Sequence, residues 1–292
     1  MTADFTHFVG IDWSGAKGAR HAGLAVAICR AGSSTPAVVM PPSGRKAWSR
    51  IECADWIAAG MNLPEDAKAL IGVDSAFSMP FIDKNSYVPG VKTAETAPEL
   101  WCTLDDLCSG AGDLYGGPFV DAHNEFYLRA GARGARFERR MRVCERRAVD
   151  SGAGPCESVF HLIGPSQVGL SGLSTMRMLN QLSGAQHVKI WPYDQPDGGS
   201  ITLVEIYAAA FAGLGGHRGK MRGIDSLNAV LQNLGSDEMM EMPATAAAGE
   251  HAADALVTAA GLRMISGERK YWHPPALSTK VRHTEGWIFG VI

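Results

Sequence analysis

"FVGIDWSGAK", residues 8–17, decides how the chain is read. A short apolar run closes on Asp12, and small turn-forming residues follow at once. Its counterpart is "KALIGVDSAFSMP" (68–80), a continuous apolar run of the kind expected for a strand buried on both faces, which carries Asp74. In an open α/β sheet, ligands bind beyond the carboxyl ends of the strands. If these two strands run as parallel neighbours, their carboxylates converge there.

Working outward, "HAGLAVAICR" (21–30) reads as a strand forming a hairpin with the first, and "PAVVMPP" (36–42) as a short third strand. Apolar residues at helical spacing mark a helix over 47–60 that ends at Gly60. The stretch from about 81 to 185 holds a helix near 95–108, a glycine-rich segment at 109–117, an arginine-rich segment and a helix over 170–184. Strands are expected at 187–194 and 201–211, with a Pro-Asp-Gly-Gly turn region between them, and helices at 221–235 and 248–266. The tail "EGWIFGVI" (285–292) reads as a closing strand. Hairpin-linked strands followed by crossovers give an α/β fold, a mixed sheet with helices on both faces. Without repeats or a low-complexity linker, residues 1–292 read as a single domain with an insertion at about 81–185.

Composition narrows the function classes. A net charge of -3 exerts no global pull toward nucleic acid or membrane, so any basic surface is local. No apolar run approaches the roughly 18 residues of a membrane span, and the N-terminus lacks the pattern of a signal peptide. Six scattered cysteines without a C-x-x-C pair argue against a zinc site and for reduced thiols, hence a cytoplasmic location. Nothing in the sequence sets an oligomeric state.

Four acids stand out: Asp12, Asp74, Glu205 and Asp254. Asp254 lies on the 248–266 helix with His251 one turn earlier, and their i, i+3 spacing puts both on one face. Converging carboxylates tolerate proximity when protons or cations neutralise them. Oxygen ligands favour Mg2+ or Mn2+, and two such ions about 3.5–4 Å apart clamp the attacking and leaving oxygens of phosphoryl transfer. His251 then acts as a general acid or base, or as a further ligand. The plainer readings stay open. A lone Asp after a strand caps a turn, and Glu205 on an alternating strand points to solvent. Asp121, His123 and His273 are weaker candidate ligands.

"RAGARGARFERRMRVCERR" (129–147) carries eight arginines against Glu138 and Glu145. Arginine grips phosphate oxygens in a bidentate fork, which makes Arg139, Arg140, Arg142 and Arg146 candidate phosphate contacts and nucleic acid a candidate partner. Phe126, Tyr127 and Phe137 are candidates for stacking on bases, or for the core. The alternative is a solvated helix with internal pairs, such as Arg142 with Glu138 or Glu145.

Taken in order, "VGIDWSGA", "IGVDSAFSMP", "RRMRVCERR", "KIWPYD", "LVEIYAAAF", "HAADALVTAAGL" and "EGWIFG" resemble the domain-of-unknown-function family 429, a branch of the ribonuclease H-like superfamily, from residue 8 to 290. The resemblance implies a ribonuclease H-like fold: a mixed five-stranded sheet with flanking helices and a mainly helical insertion. It places the family's acids at Asp12, Asp74, Glu205 and Asp254, and its Arg-x-x-Glu element at Arg142 to Glu145. The "HAAD" helix is also similar to the last helix of RuvC-type junction resolvases. Ala208 stands where the family usually has proline.

Three functions are thus expected in descending order. The first is a divalent-metal-dependent nuclease or phosphodiesterase. Asp12, Asp74 and Asp254 bind metal, Glu205 ligates it or orients water, and His251 moves the proton. The second is an actin-like or sugar-kinase-like phosphotransferase, since "GIDWSGAKG" partly resembles a phosphate loop with Lys17 in reach of a phosphate. The third is a non-catalytic scaffold.

Overall fold

The computed structural model describes residues 4–292 except 93, 151–152, 164–167, 197–198, 220, 222 and 242–248. The strands are β1 (His7–Asp12), β2 (Ala25–Arg30), β3 (Ala37–Val38), β4 (Ala69–Asp74), β5 (Leu128–Arg129), β6 (Ala132–Arg133), β7 (His161–Leu162), β8 (Val188–Ile190) and β9 (Ile201–Ile206). The helices are α1 (Arg50–Ala58), α2 (Ala97–Leu107), α3 (Gly117–Ala122), α4 (Val143–Asp150), α5 (Val168–Leu182), α6 (Ala208–Leu214), α7 (Gly223–Asn233), α8 (Gly249–Ile265), α9 (Arg269–Trp272) and α10 (Thr279–Thr284).

The fold is mixed α/β. A six-stranded sheet runs β3-β2-β1-β4-β9-β8, and a small sheet runs β6-β5-β7. β1 pairs antiparallel with β2, while β1, β4, β9 and β8 pair in parallel. Side chains alternate between the two faces of the large sheet. Val9, Ile11, Ile71, Val73 and Leu203 join one apolar cluster with the inner residues of α1, α2 and α5. Phe8, Leu70, Val204 and Ile206 join the other, with α6, α7 and α8. Residues 81–185 therefore supply part of the core: Leu100, Trp101 and Leu104 of α2 lie in the first cluster.

α8 is apolar almost all round, with Ala255 to Leu262 buried, as expected of a helix covered on both sides. It crosses β1 at very close range. A Cβ built on Gly10 would stand 2.1 Å from the Ala255 carbonyl oxygen, so only glycine fits beneath the helix. That contact brings the first turns of α8 over the carboxyl end of β1.

Several expectations need correction. The large sheet has six strands rather than the five that the resemblance implies; the expected strands at 36–42 and 187–194 are both in it, shortened to Ala37–Val38 and Val188–Ile190 at its two edges. β8 pairs in parallel with β9, and Asp197 and Gly198 of the turn region expected between them lie outside the described residues. The 201–211 strand stops at Ile206, and "AAAF" begins α6, in keeping with alanine's helix preference. The tail is not a strand. β9 is already flanked by β4 and β8, so the tail makes a single bridge, Glu205 to Ile288, past the last β8 pair. Gly286 and Gly290 take positive φ values of 68° and 99°, which interrupt an extended run. Trp287 and Phe289 are buried instead.

Among the described residues no helix is long and apolar enough to cross a membrane. The six cysteines are all free thiols, four of them buried.

Candidate functional site

Asp12 and Asp74 are register partners at the ends of β1 and β4. Both continue the face of Gly10 and Gly72, the side covered by α8. From α8, His251 Nδ1 meets Asp12 Oδ2 at 2.7 Å. The Asp12 side chain is 14% exposed and that of His251 53%, so the pair sits at a boundary with solvent. Asp254, one turn along the same helix, acts electrostatically on both Asp12 and His251. Asp12, Asp74 and His251 border an open cleft of about 590 Å³ between the strand ends and α5, and Asp254 is not among the residues that line it.

The electrostatics are those of crowded acids. Burial pushes Asp74 well above the ordinary carboxylate range, and the neighbouring Asp12 and Asp254 charges push it further. Asp254 rises to about 7, through burial and then Asp12. Burial also raises Asp12, against the opposing hydrogen bond from His251. The hydrogen bond to Asp12 raises His251 in turn, favouring its protonated form. The Ala208 amide at the first position of α6 donates toward Asp74 and offsets part of its shift. A proline there would have no N–H to offer.

Among the described residues no three Asp, Glu, His or Cys side chains close into a preassembled metal cage. The donor set at Asp12, Asp74 and Asp254 nevertheless fits a hard divalent cation in chemistry. All three offer carboxylate oxygens, and all three are raised by burial or by one another, so a bound positive charge would relieve them. Ser75 Oγ, buried beside Asp74 at the cleft, has no hydrogen-bond partner among the described residues.

Glu205 behaves differently. It stands beside Val73, not Asp74, in the β4–β9 register, and so projects from the opposite face of the sheet. It does not point to solvent: it is 2% exposed. Arg142 holds it with both terminal nitrogens, Nη1 at 2.7 Å from Oε2 and Nη2 on Oε1, while the Phe77 amide donates to Oε2 at 2.9 Å. The same guanidinium donates through Nε to Glu145 Oε1 at 2.9 Å, and the Arg142 amide donates to Glu145 Oε2 at 2.7 Å. Glu285, fully buried, accepts from the amides of Phe81, Ile82 and Val143.

The arginine-rich segment is thus not a solvated helix. Arg142 and Glu145 do pair, but in the interior, and α4 begins only at Val143. Arg140 is 6% exposed and held by Asp83 and by the carbonyls of Pro80, Ser86 and Tyr87. Arg139 grips Glu157 at the rim of the cleft at 2.8 Å and 3.1 Å. Arg146 is exposed and donates to the Met141 carbonyl; Lys17 is exposed. Of the expected phosphate contacts, only Arg142 borders the cleft, and carboxylates hold it. Phe126 and Tyr127 are buried in the core, with Phe137 packed against it. Asp121 pairs with Arg129, His123 packs on Phe119, and neither these nor His273 borders the cleft.

A second buried group supports the loop after β1. Arg50, 0% exposed, donates Nη1 to the carbonyls of Ser14 and Ala16, and Nε to the Asp113 carbonyl. Asp113 Oδ2 lies 2.7 Å from His21 Nε2. Nothing in the spacing of Arg50, Asp113 and His21 announced this support, since the three are brought together only by the fold. Comparison of the chain with protein-family models, with curated proteins and with solved structures returns no match.

Proposed function

We propose that the protein is a divalent-metal-dependent phosphodiesterase acting on nucleic acid, built on a ribonuclease H-like sheet. One observation carries the reading: Asp12 and Asp74 stand side by side at parallel strand ends, and α8 brings His251 onto Asp12 with Asp254 one turn further along, close enough to act on it electrostatically. The ordered motifs and the mixed sheet support it further.

In this reading Asp12, Asp74 and Asp254 hold Mg2+ or Mn2+, which when bound supplies Lewis-acid activation of a phosphoryl oxygen or a water. His251 carries a proton favoured by Asp12 and is half open to the cleft, a position suited to protonating a leaving oxygen. Ser75 Oγ offers an unengaged hydroxyl beside Asp74. The cleft is open rather than enclosed, which suits a polymer better than a small nucleotide.

The test is a cleavage assay on single-stranded, duplex and branched DNA and RNA with Mg2+ or Mn2+. Metal-dependent cleavage that Asp12→Asn removes, with the fold intact, supports the proposal. Cleavage that persists in chelator, or in that variant, overturns it.

A further inference from the structure

We infer that the cleft takes a single divalent cation, because the Arg142 guanidinium already holds Glu205, the carboxylate that a paired-ion site would have to recruit. The inference rests on the metal reading above and concerns how many ions that site holds.

It starts from strand parity. A cation shared by β1 and β4 carboxylates lies on the face toward α8, where Asp12 and Asp74 project. Glu205 is offset by one residue in the same register and projects from the other face. For Glu205 to contribute to a second ion it would have to swing around the strand end and leave its present partners.

Those partners take up most of its acceptor capacity. Both Glu205 oxygens accept from Arg142, and one also accepts from the Phe77 amide. Arg142 is 1% exposed, and it is the charged group facing Glu205 and Glu145 together. A metal ion on Glu205 would strand that guanidinium in the interior, since arginine does not lose its proton. It would also open a fork-to-fork pair, among the strongest hydrogen-bonded geometries available to a carboxylate. Glu145 and Glu285 are no freer. Glu145 receives the Arg142 side chain and amide, and the Glu285 oxygens receive three backbone amides.

Arg142 still borders the cleft along with Glu205 and Asp74. Its charge is engaged by Glu205 and Glu145 there, so it keeps Glu205 from turning toward a second ion. Ser75 Oγ, buried beside Asp74 at the cleft, has no hydrogen-bond partner among the described residues.

The experiment counts Mn2+ by electron paramagnetic resonance. The protein is titrated with Mn2+, and the signal of the free aqua ion is read for the wild type, Glu205→Gln and Asp74→Asn. One bound ion per chain is expected, with a magnetically isolated spectrum. Glu205→Gln should keep that ion at unchanged affinity, and Asp74→Asn should weaken it by about 10–100-fold or more, the scale on which even outer-shell changes act. Two ions per chain with the exchange-coupled spectrum of neighbours about 3.5–4 Å apart would overturn the inference while leaving the metal reading intact. So would loss of the ion in a folded Glu205→Gln. The wild-type count decides the matter even if that variant fails to fold. Absence of any bound ion in the wild type would overturn the metal reading itself.

Discussion

Asp12 and Asp74 are register partners on adjacent parallel strands, both projecting toward α8. His251 is hydrogen-bonded to Asp12, which favours its protonated form, while Asp74 has an amide and other acids around it. Such an arrangement costs the folded state something in the absence of a bound cation.

Asp74→Asn measures that cost. The substitution keeps size and removes a charge held in a poor solvent. The metal-free variant is expected to be more stable than the wild type at pH 8, by about 1–2 kcal/mol, the usual scale when a functional site is relieved of strain. For a chain of this size that is a rise in Tm of roughly 2–6 °C. At a given Mn2+ concentration the wild-type Tm should rise more than the variant's, since a ligand stabilises the state that binds it in proportion to its affinity. Differential scanning calorimetry with and without Mn2+ checks both.

Asp254 gives the pH dependence. Its carboxyl titrates at about 7 in the folded protein, against 3.8 when unperturbed. A raised pKa means the folded state holds the proton more tightly, so the contribution is complete below about pH 4 and lost as pH rises through 7. Asp12 and Asp74 shift in the same direction. The metal-free Tm is expected to fall between pH 4 and pH 7.5, and Asp254→Asn should flatten part of that fall. A variant curve parallel to the wild type would remove Asp254 from the coupled group.

Arg142 is expected to be the most sensitive position of the buried ionic group. Arg142→Met leaves Glu205 and Glu145 charged and unpaired in the interior, a loss of about 3–5 kcal/mol. Arg142→Lys should recover little of it, because an ammonium cannot reproduce the fork that spans Glu205 and Glu145. Urea denaturation of the three proteins separates the outcomes.

Gly10 tests the seating of α8. Gly10→Ala places a methyl 2.1 Å from the Ala255 carbonyl oxygen, so the helix must lift from β1. A loss of at least about 1–3 kcal/mol is expected from overpacking alone. Because the same contact sets His251 beside Asp12, Mn2+ affinity should fall along with stability, which isothermal titration of the folded fraction reads directly.

These positions also show how far the sequence alone carries. Asp12 and Asp74 could be read because each ends an apolar run, and His251 with Asp254 because three-residue spacing fixes a helical face. Glu205 could not be placed, since its face depends on the β4–β9 register, which no local pattern contains. The interior position of Arg142 was hidden for a related reason. Glu145 is three residues away and could be named as a partner, but Glu205 and Glu285 are distant in sequence, and a run of arginines reads as a surface whichever way it folds. The tail misled because its apolar residues suit a strand, while the sites beside β9 were already taken. "LVEIYAAAF" joined a strand to a helix without glycine or proline to mark the change.

The most direct measurement is a crystal of the protein soaked in Mn2+ and read by anomalous scattering. A single peak among Asp12, Asp74 and Asp254, with Glu205 still held by Arg142, is the expected result. Ordered side chains at saturating Mn2+ without a peak there would contradict the assignment of these carboxylates to a metal.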